Sequence, residues 1–219
     1  MKLALAFCLM AGLAGAQEFV TAEARLSDED FTRLAACAAP SGGECQKPIV
    51  RWSTRDARDV SNEIVMIEAG YPAKVAAKLG AGLDATIAGL NGVGAGLMVS
   101  RSAPGRVADI RIFLLNSPSE RKISGTGLPK FDGGYMKLAR MQMEWRASLE
   151  ILQCAIASRR DAKTSEVERL LIEEVPQCLG FLTDIGGRTY ESRSIIWETS
   201  NARSQLGAQD AIALRRHYP

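Results

Sequence analysis

The residues best suited to chemistry lie in one run, Glu173-Glu174-Val175-Pro176-Gln177-Cys178-Leu179-Gly180. At about 3.6 residues per helical turn, Val167, Leu170, Leu171, Val175 and Cys178 make one apolar stripe, and Glu174 falls near its middle. A carboxylate placed there is costly unless it is protonated, hydrogen-bonded, paired with a base, or set beside a metal or cleft. Glu173 and Gln177 flank the same stripe, four residues apart. Two roles for Glu174 follow: a structural pair with an arginine such as Arg188 or Arg193, or a polar group presented to a functional cleft.

The spacing is that of the zincin helix H-E-x-x-H-x-x-G, where two imidazoles one turn apart hold zinc and the glutamate is the general base. Here Glu173 and Gln177 stand at the imidazole positions, Glu174 at the general-base position and Gly180 at the closing glycine. A third ligand at metzincin spacing would be Thr183, or Asp184 one residue on. Gln177 and Thr183 are weak, neutral zinc donors. Carboxylates suit calcium better, but helix spacing alone does not assemble its oxygen shell. The single histidine, His217, lies near the C-terminus, and no G-x-S-x-G elbow accompanies it for serine catalysis. No metal and no cofactor is therefore expected, and Glu174 is catalytic only in an enzyme with an altered site.

The elements that must position this run are legible on either side of it. Ser165 and Glu168 make a capping box, Gly180 a left-handed stop, and Pro176 removes a donor and crowds the carbonyl of Ile172, predicting a kinked last turn. Ser27 opens a first helix with Phe31, Leu34 and Ala35 as its apolar side, ending by Pro40. Residues 48–53 and 63–68 read as strands separated by a charged loop at 54–62. Pro72 starts a long helix with the stripe Val75, Leu79, Leu83, Ile87 and Leu90, whose Gly80 and Gly82 imply close packing on a sheet. The glycines of residues 92–96 are not a dinucleotide loop, since they precede a strand at 97–100 instead of following one. Residues 108–116 form the clearest strand, and 117–134 a long loop over a cleft. Residues 135–146 read as a helix, with a place in the sheet as the alternative, and Met136, Met141 and Met143 as core filler. Strands at 150–158 and 194–197 and a helix at 208–217 complete the chain.

Residues 1–16 have the form of a signal peptide: Lys2, an apolar run and Ala14-Gly15-Ala16, predicting a mature chain from Gln17. That run is too short to span a bilayer, and Cys8, preceded by Phe7, does not fit a lipoprotein cysteine. No stable membrane anchor is expected after cleavage. With 27 Lys and Arg against 25 Asp and Glu, the charge is balanced and no nucleic-acid partner is implied. Beyond the signal, Cys37, Cys45, Cys154 and Cys178 read as two disulfides in an exported protein. Of three connectivities, Cys37–Cys45 across a short loop and Cys154–Cys178 from a strand to the central helix are preferred.

Taken together, Trp52, Ala108-Asp109-Ile110, Glu173-Glu174-x-x-Gln177-x-Leu179-Gly180, Asp184, Ser194-Ile195, Asp210, Leu214-Arg215 and Tyr218-Pro219 carry a resemblance. The chain resembles, over residues 48–219, the exported proteobacterial family catalogued as domain of unknown function 2927. The resemblance implies a degenerate zincin-like domain in the periplasm or secreted. The expected fold is α+β, a mixed sheet with a backing helix and a central EExxQxLG helix, preceded by an N-terminal helix and cysteine loop at residues 17–47. The expected function is a non-catalytic domain binding a peptide or envelope protein. The alternatives are a metallopeptidase-like hydrolase using Glu174 as general base, and a structural envelope protein.

Overall fold

The computed structural model describes residues 19–53, 59–66, 71–103, 105–115, 122–136, 139–159, 164–198 and 203–219, with only the backbone for Met66, Thr164, Ser165, Val167 and Glu168. The expected signal peptide, the capping box of Ser165 with Glu168, and Val167's place in the stripe lie outside what is described.

The first strand, β1 (Phe19–Thr21), leads into α1 (Asp28–Cys37). Ser27 caps α1 as expected, its Oγ accepting from the Asp30 amide at 3.0 Å. A small turn then returns the chain, closed by the Cys37–Cys45 disulfide. Residues 48–53 are not a strand: only Arg51 pairs, in an isolated bridge to Glu150. Pro48 has no amide to donate, and the Trp52 amide is engaged by the Tyr218 hydroxyl instead of a neighbouring strand.

β2 (Asp59–Met66) begins four residues earlier than the charged loop assigned to 54–62 allows. Its first residues, polar as they are, pair in parallel with β3 (Met98–Arg101). Between them runs α2 (Ala73–Gly92), with Leu79, Leu83 and Leu90 buried and Val75 and Ile87 packed on the core. β4 (Ile110–Leu115) pairs in parallel with the other side of β2.

Residues 139–145 form β5 (Ala139–Trp145), not the helix favoured by their Met, Arg and Gln content. Antiparallel pairing with β6 (Ile151–Arg159) overrides that propensity, and Met141 and Met143 are placed against the core. The five strands run in the order β3-β2-β4-β6-β5, so β5 is the antiparallel edge of an otherwise parallel sheet. The α+β class expected from sequence is the class observed.

The two faces of the sheet are covered differently. Ile110, Ile112, Leu114, Cys154 and Ile156 face the main core, shared with α2 and the central helix α3 (Thr164–Cys178). Phe113, Leu115, Ala155 and Ala157 face a smaller core closed by Ile123, Phe131 and Met136. The loop expected at 117–134 thus packs, over its described residues, on the second face of the sheet.

After α3, β7 (Asp184–Gly186) pairs in parallel with β1. Residues 194–197 are not a full strand; a single bridge joins Trp197 to Ile185, and the chain otherwise turns there. The final helix, α4 (Ala208–His217), lies against α1. The N-terminal segment therefore shares the main core through Phe31, Leu34 and Ala35.

Candidate functional site

Helix α3 buries Leu170, Leu171, Val175 and Cys178 of the stripe on which Glu174 was placed, and Ile172 besides. The Cys154–Cys178 disulfide, with Cα atoms 5.7 Å apart, ties the end of this helix to β6. Both preferred cysteine pairings are thus present.

Three side chains fasten the turn that follows. Trp52 Nε1 donates to the Cys178 carbonyl at 2.9 Å, and the Tyr218 hydroxyl donates to the Leu179 carbonyl at 2.7 Å. His217 Nε2 lies 3.0 Å from the carbonyl oxygen of Val50; since a carbonyl only accepts, the imidazole donates from that nitrogen. Burial lowers the His217 pKa to about 4, with the charge of Arg51 adding to the effect. His217 is a neutral brace, which sequence reasoning considered only as a base for serine catalysis.

The polar positions of the run meet β7. Gln177 Nε2 donates to Asp184 Oδ1 at 3.1 Å, so the position of the second imidazole and the proposed later ligand do come together. Glu174 keeps some exposed surface, but its Oε2 is shut from solvent and has no hydrogen-bond partner. Burial raises its pKa to about 8, and the neighbouring charges of Glu173 and then Asp184 push in the same direction. The Thr183 hydroxyl is likewise buried and unpartnered. Among the described residues, no ion pair joins Glu174 to Arg188 or Arg193, and Arg193 lines a separate cavity.

The donor set does not fit zinc. Among the described residues, no three His, Cys, Asp or Glu side chains are grouped to hold a metal ion. Gln177 turns its amide nitrogen towards Asp184, and the one histidine is committed to Val50. What the site can do is proton chemistry or hydrogen bonding, because a carboxyl with a pKa near 8 is mostly protonated at neutral pH and donates as well as accepts.

Other residues that carried the resemblance act as braces. Asp109 Oδ2 accepts from the Ser61 amide at 2.9 Å and the Ser61 hydroxyl at 2.7 Å, joining β4 to β2. Asp210, deeply buried at the start of α4, accepts from Ser194 Oγ at 2.6 Å and from the amides of Ile195 and Gly207 at 3.0 and 2.7 Å. Burial raises its pKa, against the lowering effect of those bonds. No family model matches the chain, and no curated protein matches it in sequence.

Proposed function

We propose that the chain is an exported, non-catalytic zincin-like domain that binds an extended peptide or protein segment in the cell envelope. The observation that carries this reading is Glu174: an inaccessible, unpartnered carboxyl oxygen on an acid held largely neutral at pH 7. Oε2 itself is shut from solvent, but Glu174 keeps some exposed surface, and a protonated carboxyl can donate to a peptide carbonyl as well as accept from a peptide amide. Helix α3 packs against β5, whose outer edge is unpaired among the described residues. Such an edge accepts an added strand, with main-chain bonds supplying affinity. The two disulfides fit an oxidising compartment, and no helix among the described residues is long and apolar enough to cross a membrane.

One observation favours a second reading. A pKa near 8 suits a group that exchanges protons at physiological pH, which would make Glu174 the general base of a hydrolase with an altered site. A third role, a purely structural ion pair, finds no arginine partner for Glu174 among the described residues.

The test is fluorescence anisotropy with a pool of labelled, unstructured peptides, followed by mass spectrometry of the same peptides after incubation. Saturable binding with intact peptides, weakened by Glu174→Gln, supports the binding domain. Cleavage by the wild type that Glu174→Gln abolishes would establish the hydrolase instead. No binding and no cleavage sinks both.

A further inference from the structure

A second concave site lies away from Glu174. A cavity of about 380 Å³ is lined by Arg25, Arg193 and Arg203, with Tyr190, Phe31 and Gln209 among the remaining walls and no acidic residue among its described lining. None of Glu173, Glu174, Gln177 or Asp184 belongs to it. The three arginines come from distant parts of the chain: the segment before α1, the turn after β7 and the approach to α4.

Their states differ in a way that matters. Arg203 is fixed by backbone carbonyls, donating from Nη1 to Ser192 at 2.7 Å and from Nε to Gln205 at 3.0 Å. Arg25 and Arg193 are exposed, and no side-chain hydrogen bond or ion pair holds either of them among the described residues. Two acids stand close by without lining the cavity, and one of them, Asp210, shares an attraction with Arg203. Asp28 accepts from Gln209 Nε2 at 3.0 Å, and Asp210 is occupied by Ser194, Ile195 and Gly207. The floor is rigid: Phe31 and Tyr190 are fully buried, with ring centroids 5.5 Å apart, and the Tyr190 oxygen accepts from the Leu26 amide at 2.8 Å.

Three like charges round one concavity repel one another, and an anion between them removes that repulsion while accepting their hydrogen bonds. Guanidinium forks match the paired oxygens of carboxylate and phosphate groups. The volume falls at the lower end of the roughly 300–1,000 Å³ typical of small-molecule sites, which leaves space for more than the anionic group itself. From this we infer that the cavity binds a small organic oxyanion, whose phosphate or carboxylate group is gripped by Arg25 and Arg193 with Arg203 as a fixed positive wall.

Titration calorimetry of the full folded chain with phenyl phosphate and with benzoate, in low-salt chloride-free buffer, tests this. One saturable site for phenyl phosphate alone identifies a phosphate ligand, and one for benzoate alone a carboxylate ligand. Arg25→Ala and Arg193→Ala should each weaken that binding by about tenfold, the scale of one charge-assisted hydrogen bond. Arg193→Lys, which keeps the charge and loses the fork, should fall between wild type and alanine. Arg216→Ala, an exposed arginine of α4 outside the lining, should bind like wild type. Melting curves confirm that each variant is folded, and both arginines are exposed enough to be replaced without opening the core. The inference is overturned if neither probe saturates at one per chain. It is equally overturned if folded Arg25→Ala and Arg193→Ala bind like wild type, or if Arg216→Ala weakens binding as much as they do.

Discussion

A side-chain carbon added at Gly180 would stand 2.7 Å from Nε2 of His217, so the residue closing the EExxQxLG turn and the only histidine meet in one joint. The same carbon would press on the carbonyl oxygen of Val50, and Gly180 has φ of +103°. Glycine is required there for both space and backbone. Gly180→Ala should destabilise the fold by roughly 2–4 kcal/mol, combining backbone strain with displacement of the His217–Val50 bond. Urea unfolding monitored by tryptophan fluorescence measures this, and a change within experimental error would show that the joint yields freely.

The acid limb of stability should report His217. Its folded pKa is about 4 against an ordinary value of 6.5, so between those limits the unfolded chain holds a proton that the folded chain does not. Stability is therefore fully present above pH 6.5 and is lost as pH falls towards 4, by up to roughly 3 kcal/mol from this group. His217→Gln should lower stability at pH 7 yet flatten the slope between pH 6.5 and 4. Unfolding curves at several pH values would contradict this if the variant kept the wild-type slope.

Glu174 acts in the opposite sense. Its pKa is raised from 4.5 to about 8, so the folded chain retains a proton that the unfolded chain loses, and stability falls as pH rises through that window. Glu174→Gln, neutral and nearly isosteric, should remove this alkaline loss and leave the protein more stable than wild type at pH 8 by one or a few kcal/mol. Marked destabilisation at pH 8 would instead reveal a structural partner for the carboxylate.

The crosslinks should contribute unequally. Cys154–Cys178 spans 24 residues and Cys37–Cys45 only 8, so loop-closure entropy assigns about 3.5 kcal/mol to the first and about 2.5 kcal/mol to the second. Paired replacement by serine should lower the melting temperature more for the first. Recovery of a Cys37–Cys154 peptide from the native protein would contradict the pairing.

Purified protein should carry no stoichiometric zinc by elemental analysis, and chelators should leave peptide binding unchanged. The reason is the donor set, an amide and scattered carboxylates where a tetrahedral zinc site requires imidazole or thiolate. One tightly held zinc per chain would overturn the non-catalytic reading.

Local sequence determined much of this protein. The first and last helices, the long helix from Pro72, strands β4 and β6, and both disulfides could be read from caps, periodicity and cysteine spacing. The stripe of α3 and the awkward position of Glu174 were equally legible, because a helical period records which face is buried. Periodicity does not record the partner. Residues 139–145 became a strand because β6 offered an antiparallel edge, and residues 48–53 failed to become one because Trp52 and Val50 bond to Tyr218 and His217, some 166 and 167 positions away. Only the tertiary structure decided that no arginine among the described residues pairs with Glu174, that the single histidine braces a turn, and that Arg25, Arg193 and Arg203 share one cavity. Contacts across such separations depend on how whole elements pack, and that arrangement is fixed by the summed burial of the core rather than by any short stretch of residues.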